Sequence, residues 1–160
     1  MLLFIEELTP VCAPSLLHSA FPNGHENIVP NDLDKFNLLH SDTCTLNWQY
    51  WLEDTKAAEV LANANSTNFD SCMLSYDAAT AGLGFAIANY VYMMKDIEAG
   101  RLIAPFKDKL RSGFGWYFVY PSTSAHLPRV QKFQEWVLKQ AIETRDKMEL
   151  LIAGESCRLH

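Results

Sequence analysis

Three predicted strands alternate with two predicted helices in residues 66–106, STNFDSCMLSYDAATAGLGFAIANYVYMMKDIEAGRLIAPF. Residues 66–69 form a short extended run. Residues 85–88 are apolar on both faces, which is typical of a strand in a parallel sheet between two layers of helices. Residues 102–104, closed by Pro105, have the pattern of a third strand. We therefore predict one βαβαβ unit.

Both predicted helices of this unit have polar starts and glycine stops. Asp70 or Ser71 can supply the oxygen that caps the first helix, and Asn89 can cap the second. Gly82 and Gly100 follow the two helices, where the chain commonly needs a positive φ.

The flanking segments add further strands and helices. We predict strands at 7–13, 37–40 and 115–120, and helices starting at Pro14, near Asn31, over 48–62 and from Pro128 onward. Loops are predicted at 18–31 and 107–113, and a frayed tail at 153–160.

The composition is that of a globular protein. With 160 residues, 49% of them hydrophobic and 20% charged, the chain is long enough for one domain with a sizeable core. No apolar run reaches the roughly 18 residues of a membrane-spanning helix, and the leading MLLFI is too short for a secretory signal. We therefore expect a cytoplasmic protein with no membrane partner.

Charge is distributed unevenly along the chain. Residues 1–80 carry two basic and eleven acidic side chains, whereas residues 81–160 carry eleven basic and eight acidic ones. The basic residues of the second half are interleaved with acidic ones, which favours a solvated face rather than a phosphate-binding patch. These residues are Lys107, Lys109, Arg111, Arg129 and Lys132. No helix-turn-helix signature or basic arm occurs, so we expect no DNA binding by this chain alone.

The four cysteines indicate neither a disulfide framework nor a metal site. Cys12, Cys44, Cys72 and Cys157 lie far apart, without a CxxC motif or a Cys/His pair at metal-ligand spacing. We predict free or buried thiols, and no cofactor.

Six phrases in a fixed order carry a family resemblance. They are LTPVCAPSLL at 8–17, LLH at 38–40, NWQYWL at 47–52, the run from Phe69 to GLGFA at 82–86, IEAGRL at 97–102, and WYFVYP at 116–121 with the following Phe133/Trp136 helix. Over about residues 3–140, this ordered set resembles the effector-binding region of LysR-type transcriptional regulators, in the branch that contains the glycine-cleavage activator.

The resemblance implies an α/β fold like a type 2 periplasmic binding protein, in which two subdomains enclose a small-molecule cleft. Residues 1–152 would then be a partial effector-binding domain, the C-terminal portion only. Within it, 3–106 would be the second subdomain, and 107–152 the return strand and C-terminal helix that go back to the first subdomain. Residues 153–160 would be the tail. The winged helix-turn-helix and most of the first subdomain have no counterpart in this sequence.

The implied function is effector sensing within a homo-oligomeric LysR-type regulator, with an amino acid or small carboxylate as effector. Two alternatives stay open. The chain could be an interaction module that pairs with itself or with a full-length relative, or a free-standing small-molecule binding module.

Ligands of open α/β sheets lie beyond the carboxyl ends of strands, where helix N-termini offer N–H groups to anions. The predicted effector-binding residues are Cys12, Asn68, Phe69, Asp70, Ser71, Cys72 and Trp116. Plain helix capping by Asp70 and Ser71, and core packing of Cys12 and Trp116, are the alternatives. The family pattern has a serine where this sequence has Cys72, so the resemblance supplies no hydroxyl at that position.

Catalysis is not predicted. Cys72, His40 and Asp77 are the candidate groups, but nothing in the sequence places a base next to a nucleophile. No HExxH, GxSxG or Walker motif occurs.

Overall fold

The computed structural model describes residues 1–22, 24, 27–43, 47–107 and 109–158, with side chains as far as residue 151. A five-stranded sheet lies between two layers of helices. The strands are β1 (Leu2–Val11), β2 (Asn37–Ser41), β3 (Asn65–Phe69), β4 (Phe85–Asn89) and β5 (Leu110–Tyr117). The helices are α1 (Pro14–Ala20), α2 (Asn47–Asp54), α3 (Val60–Asn63), α4 (Cys72–Thr80), α5 (Tyr90–Glu98) and α6 (Pro128–Arg158), with 3-10 turns at Pro30–Lys35 and Ser122–Ser124. Asn23, in the predicted loop, and Cys44 lie outside the described residues, as does the side chain of Cys157.

The strand order is β3-β2-β4-β1-β5. β2 is parallel to both β3 and β4, whereas β1 is antiparallel to β4 and β5. The predicted βαβαβ unit is correct for β3, α4, β4 and α5, with β2 lying between its first two strands. Its third strand is wrong, because the segment forms only a single antiparallel bridge between Ile103 and Cys12. That strand cannot extend, because the N–H of Leu102 bonds to Asp96 at the end of α5 and Pro105 has no N–H to donate.

Two buried clusters occupy the two faces of the sheet. The first joins one face to α1, α2, α3 and the Pro30–Lys35 turn, and includes Leu8, Trp51 and Phe85. The second joins the other face to α4, α5 and α6, and includes Tyr76 and Met148. All five residues of β4 are buried, as expected for a strand covered on both sides.

The predicted caps of α4 and α5 are present. Ser71 Oγ accepts the N–H of Leu74 at 3.4 Å, and Asn89 Oδ1 accepts the N–H of Val91 at 3.2 Å. Gly82 follows α4 with φ +80°, as predicted. Because these end signals are local, the lengths of both helices could be predicted from sequence.

The predicted single helix over 48–62 is wrong, because the helix breaks between α2 and α3. Ala57 donates its N–H to the carbonyl of Leu52 at 2.7 Å, and Lys56 takes a positive φ of 60°. This is the hydrogen-bond pattern that ends helices with a left-handed residue. Trp51 and Val60 are nevertheless both buried, so each half contributes to the core.

Three expectations for the second half of the chain also need correction. Part of the predicted loop at 107–113 is strand, because β5 starts at Leu110, where it pairs with Leu8, and ends at Tyr117. The predicted tail is helical through Arg158, with 159–160 outside the described residues. Lys109 is not on a solvated face, since its buried Nζ lies 4.3 Å from the centre of the Tyr90 ring.

Residues 118–136 form a surface of aromatic rings, which we call the aromatic surface: Phe118, Tyr120, Phe133 and Trp136. Neighbouring rings in this set are 5.3–5.6 Å apart between centroids, and both Phe133 and Trp136 are more than half exposed. The later part of α6 packs back on this chain. Its Met148 is buried in the core, and its Lys147 pairs with Glu98 of α5 at 2.6 Å. This chain therefore covers the later part of α6 but leaves the aromatic surface open.

Candidate functional site

The ends of three parallel strands meet at one edge of the sheet, which we call the carboxyl edge. β3 ends at Phe69, level with Ser41 of β2, and β4 ends at Asn89. Helix α4 begins shortly after β3, and α5 begins directly after β4. Two helices therefore begin at this edge, where ligands of open α/β sheets bind and where N–H groups at helix N-termini favour anions.

Five of the seven predicted site residues lie together at the end of β3. Asn68 and Asp70 are exposed, and Phe69 is half buried against the second core cluster. Ser71 caps α4, and Cys72, the first residue of α4, has a half-buried free thiol. Asn68 and Asp70 can therefore reach a ligand, while Phe69, Ser71 and Cys72 already have structural contacts, Cys72 against the same core cluster as Phe69.

Cys12 is placed elsewhere. Its thiol is fully buried in the first core cluster, and its backbone exchanges two hydrogen bonds with Ile103, at 3.1 and 2.9 Å. Burial also raises the pKa of the thiol well above its usual range. In this chain Cys12 is a core residue, as the packing alternative anticipated.

Trp116 is separated from the β3 group by the width of the sheet. It lies on β5, at the opposite outer edge, so four interstrand spacings, roughly 19 Å, separate it from β3. The indole is 44% exposed and packs edge-on against Tyr92 of α5, with 5.7 Å between ring centroids. A ligand touching both groups would have to span most of the carboxyl edge.

His40 adds a titratable group beside the predicted site. It pairs with Asn68 across β2 and β3, and its ring lies 6.3 Å from that of Trp48. Burial lowers the pKa of His40, so the neutral imidazole is favoured. The LLH phrase placed His40 on a strand, but only the β2–β3 pairing brings it to Asn68.

Glu6, Asn89 and Ser112 form a polar cluster at the middle of the edge that sequence reasoning missed. Ser112 Oγ donates to Glu6 Oε2 at 2.6 Å, and Asn89 Nδ2 donates to Glu6 Oε1 at 3.5 Å. The partners lie 106 and 83 positions apart in sequence. No local pattern signals a contact of that range.

Among the described residues, no hydrogen bond joins the side chains of the candidate catalytic groups Cys72, His40 and Asp77. Asp77 is exposed and lies five residues after Cys72, on a different face of α4, while the ring partner of His40 is Trp48. Within the described residues, no three His, Cys, Asp or Glu side chains are grouped to hold a metal ion. The same part of the chain contains no helix with the length and apolarity to cross a membrane.

Comparison with known families identifies the class. Residues 1–142 match the family model described as the LysR substrate binding domain. The chain belongs to this family, which confirms the resemblance carried by the six phrases and the periplasmic-binding-protein-like fold.

Individual relatives agree with this assignment. The chain is 34% identical over 145 residues to the glycine cleavage system transcriptional activator of Escherichia coli K12, covering 91% of this chain and 46% of that protein. The regulator DsdC of the same organism is 28% identical, with 87% of this chain and 45% of that protein covered. The chain thus spans about half the length of these curated relatives, which are transcriptional regulators rather than enzymes.

Solved structures show the same fold. The effector binding domain of AmpR from Citrobacter freundii superposes with a TM-score of 0.69 at 24% identity, over 89% of this chain and 67% of that one. The effector domain of AmpR from Pseudomonas aeruginosa gives 0.69 at 23% identity, over 93% and 68%. About a third of each solved domain therefore has no counterpart here.

Proposed function

We propose that this chain is the effector-sensing part of a LysR-type transcriptional regulator. The observation that carries the proposal is the carboxyl edge, where α4 and α5 begin beside the ends of three parallel strands, in a chain that belongs to the LysR substrate-binding family. A bound effector would favour one arrangement of subdomains over another and so alter contacts between copies of the regulator.

The proposed division of the chain follows the distribution of exposed apolar residues. Residues 3–106 form the second subdomain, and 107–152 form the return strand and helix that go back to a first subdomain, with the later part of the helix packed on this chain at Met148. In support, the aromatic surface lies within 107–152, and large exposed apolar patches in soluble proteins mark interaction sites. The missing third of the solved effector domains is the segment expected to cover it.

The proposed effector is an amino acid or a small carboxylate. Cys72 is the first residue of α4, so its N–H has no partner within the helix and points beyond the carboxyl edge. A carboxylate can accept this N–H, and the nearby residues Asn68 and Asp70 are exposed. Cys12 is left out of this site because its thiol is buried.

The remaining proposals concern partners. We propose that the regulator is a homo-oligomer in the cytoplasm, that this chain catalyses no reaction, and that it binds no DNA on its own, since its acidic side chains outnumber the basic ones by six. A second candidate function is an interaction module that pairs through the aromatic surface. The exposure of that surface is the one observation that supports it.

A ligand screen tests the effector proposal. We expect at least one of glycine, L-alanine, L-serine, acetate, propionate and benzoate to raise the melting temperature, because a ligand that binds only the folded state stabilises it. If none does, the effector proposal is wrong and the interaction module is favoured. Light scattering then tests that alternative: a concentration-dependent dimer supports it, and a monodisperse monomer contradicts it.

A backbone variant locates the site. Cys72→Pro removes the first N–H of α4 at a position where proline is tolerated, and Ser71 before it is already extended. We expect at least about a tenfold loss of affinity for the ligand found in the screen. Cys72→Ala keeps the N–H and is the matched control, expected to bind as the parent chain does. Equal binding by both variants would place the site elsewhere.

A further inference from the structure

The strand pair β1–β5 contains a bulge opposite Glu6. Ile5 pairs with Gly115 and Glu7 pairs with Arg111, so one residue of β1 faces three residues of β5. Gly113, in the middle of those three, has φ +81°, a conformation that glycine adopts without strain. Bulges of this kind commonly redirect side chains near functional sites.

The carboxylate of Glu6 joins this bulge to the start of α5. One oxygen accepts the hydroxyl of Ser112 at 2.6 Å, and the Ser112 oxygen in turn accepts the N–H of Phe114 at 3.2 Å. The other oxygen accepts the amide of Asn89 at 3.5 Å. Asn89 is buried and caps α5 through the N–H of Val91.

These bonds form a continuous chain from the β5 bulge to the first turn of α5, across β1 and β4. Glu7 offers a contrast on the same strand. It pairs with Arg111 of β5 at 3.1 Å, with no bond to α5 among those that the structure describes. Polar chains of this kind couple their members more strongly than separate pairs do, because each bond polarises the next.

We propose that Glu6 is a positioning residue that couples the β5 bulge to the N-terminal turn of α5. Through Ser112 it holds the bulge, and through Asn89 it holds the N-cap, so a change at one end alters the other. If the effector site lies at the carboxyl edge, as proposed above, this coupling links the site to the strands that leave the subdomain. That consequence rests on the proposed function, whereas the coupling itself does not.

Amide hydrogen exchange on the whole chain, without any ligand, tests the coupling. We expect Ser112→Ala to speed exchange at Val91 and Tyr92 by roughly five- to tenfold, the effect of losing about one hydrogen bond. In a Glu6→Ala background the same substitution should add nothing there, because the connection is already broken. Ser112→Thr keeps the hydroxyl and should restore the parent rates.

Glu7→Gln is the matched control. It should speed exchange in the β1–β5 pair while leaving Val91 and Tyr92 at the parent rates. The proposal is wrong if Ser112→Ala leaves the α5 amides unchanged, or if the effects of Ser112→Ala and Glu6→Ala are additive. Since no ligand is present, either outcome is independent of the ligand screen, and the two proposals can fail separately. If Glu6→Ala does not fold, Glu6→Gln in its place weakens the same bonds while keeping the side-chain volume.

Discussion

The two strands that flank β1 both pair antiparallel with it, but they differ in burial. All five residues of β4 are buried, whereas none of the eight residues of β5 is. β4 lies between two layers of helices, while β5 forms an outer edge that carries exposed Phe114, Trp116 and Tyr117. β1 itself follows this division, since Leu8 to Val11 are buried and Leu2 and Ile5 are exposed.

This difference shows that one half of a sheet can be buried by helices of the same chain while the other half stays exposed. The β4 side has its helices within this chain, so its apolar residues stabilise the fold directly. The β5 side and the aromatic surface present exposed apolar residues, which the described part of the chain covers less completely than the β4 side. Residues on the two sides should therefore respond differently to substitution.

The largest expected effect is at Trp51, in the buried half. Its side chain is fully buried and packs edge-on against Phe106 at 5.1 Å. We expect Trp51→Ala to lower the free energy of unfolding by about 3–5 kcal/mol in urea denaturation. Trp136→Ala, on the aromatic surface at 57% exposure, is the control, and we expect less than about 0.5 kcal/mol. Equal losses of unfolding free energy in the two variants would contradict the difference between the β4 side and the β5 side of the sheet.

The next effect tests how tightly β2 and β4 approach each other. A Cβ added at Gly84 would lie 2.2 Å from the carbonyl oxygen of Asn37. Gly84→Ala should therefore force the strands apart and cost about 1–3 kcal/mol or more. Gly100→Ala is the comparison, because its Cβ meets nothing within 4 Å and only its positive φ opposes the change, costing about 1 kcal/mol. Melting temperatures of the two variants measure the two losses of stability. A larger loss for Gly100→Ala than for Gly84→Ala would contradict the close approach of Gly84 to Asn37.

A smaller effect of opposite sign is expected at Lys56. Its positive φ of 60° is unfavourable for a side chain with a Cβ, and Lys56 is exposed. Lys56→Gly should raise the free energy of unfolding by about 0.5–1 kcal/mol, since glycine adopts this conformation freely. Lys56→Ala removes the same charge but keeps the Cβ, so it should give no comparable gain.

The smallest effect concerns pH and His40. Burial lowers the pKa of His40 in the folded chain. The imidazole of His40 is therefore protonated more readily in the unfolded chain than in the folded one. Stability from this source is complete above the ordinary histidine pKa of 6.5 and declines as the pH falls below it. We expect His40→Asn to reduce the loss of stability between pH 7.5 and 5.5, measured by urea denaturation at both pH values. An identical pH profile for His40→Asn and the parent would contradict this assignment.

The predictable part of the fold is the part with local signals. Ser71, Asn89 and Gly82 mark helix ends by their chemistry alone, so α4, β4 and α5 could be located from sequence. The helix break after Thr55 could not, because neither glycine nor proline marks it. The predicted strand at 115–120 starts later than β5, because the charged residues up to Gly113 are typical of a loop. The pairing of β5 with β1 depends on contacts more than 100 residues apart.

The candidate site shows the same limit. The residues of β3 could be predicted as a group because they are contiguous, whereas the distance of Trp116 depends on the strand order. Cys12 follows the end of β1, and only the tertiary structure, through the bridge to Ile103 and the packing around it, shows that the thiol is buried. The Glu6 cluster joins three strands and a helix, so its members carry no shared motif.

The burial of Cys12 has a practical consequence for labelling. Thiol reagents attack the thiolate, and this sulfur is both enclosed and held protonated. In a chain with Cys44 and Cys157 replaced by serine, a maleimide should therefore modify the half-buried Cys72 quickly and Cys12 only when the whole molecule opens. A fluorophore could thus be placed beside the carboxyl edge at a single position, and slow modification of the second sulfur would report the rate of global opening under native conditions.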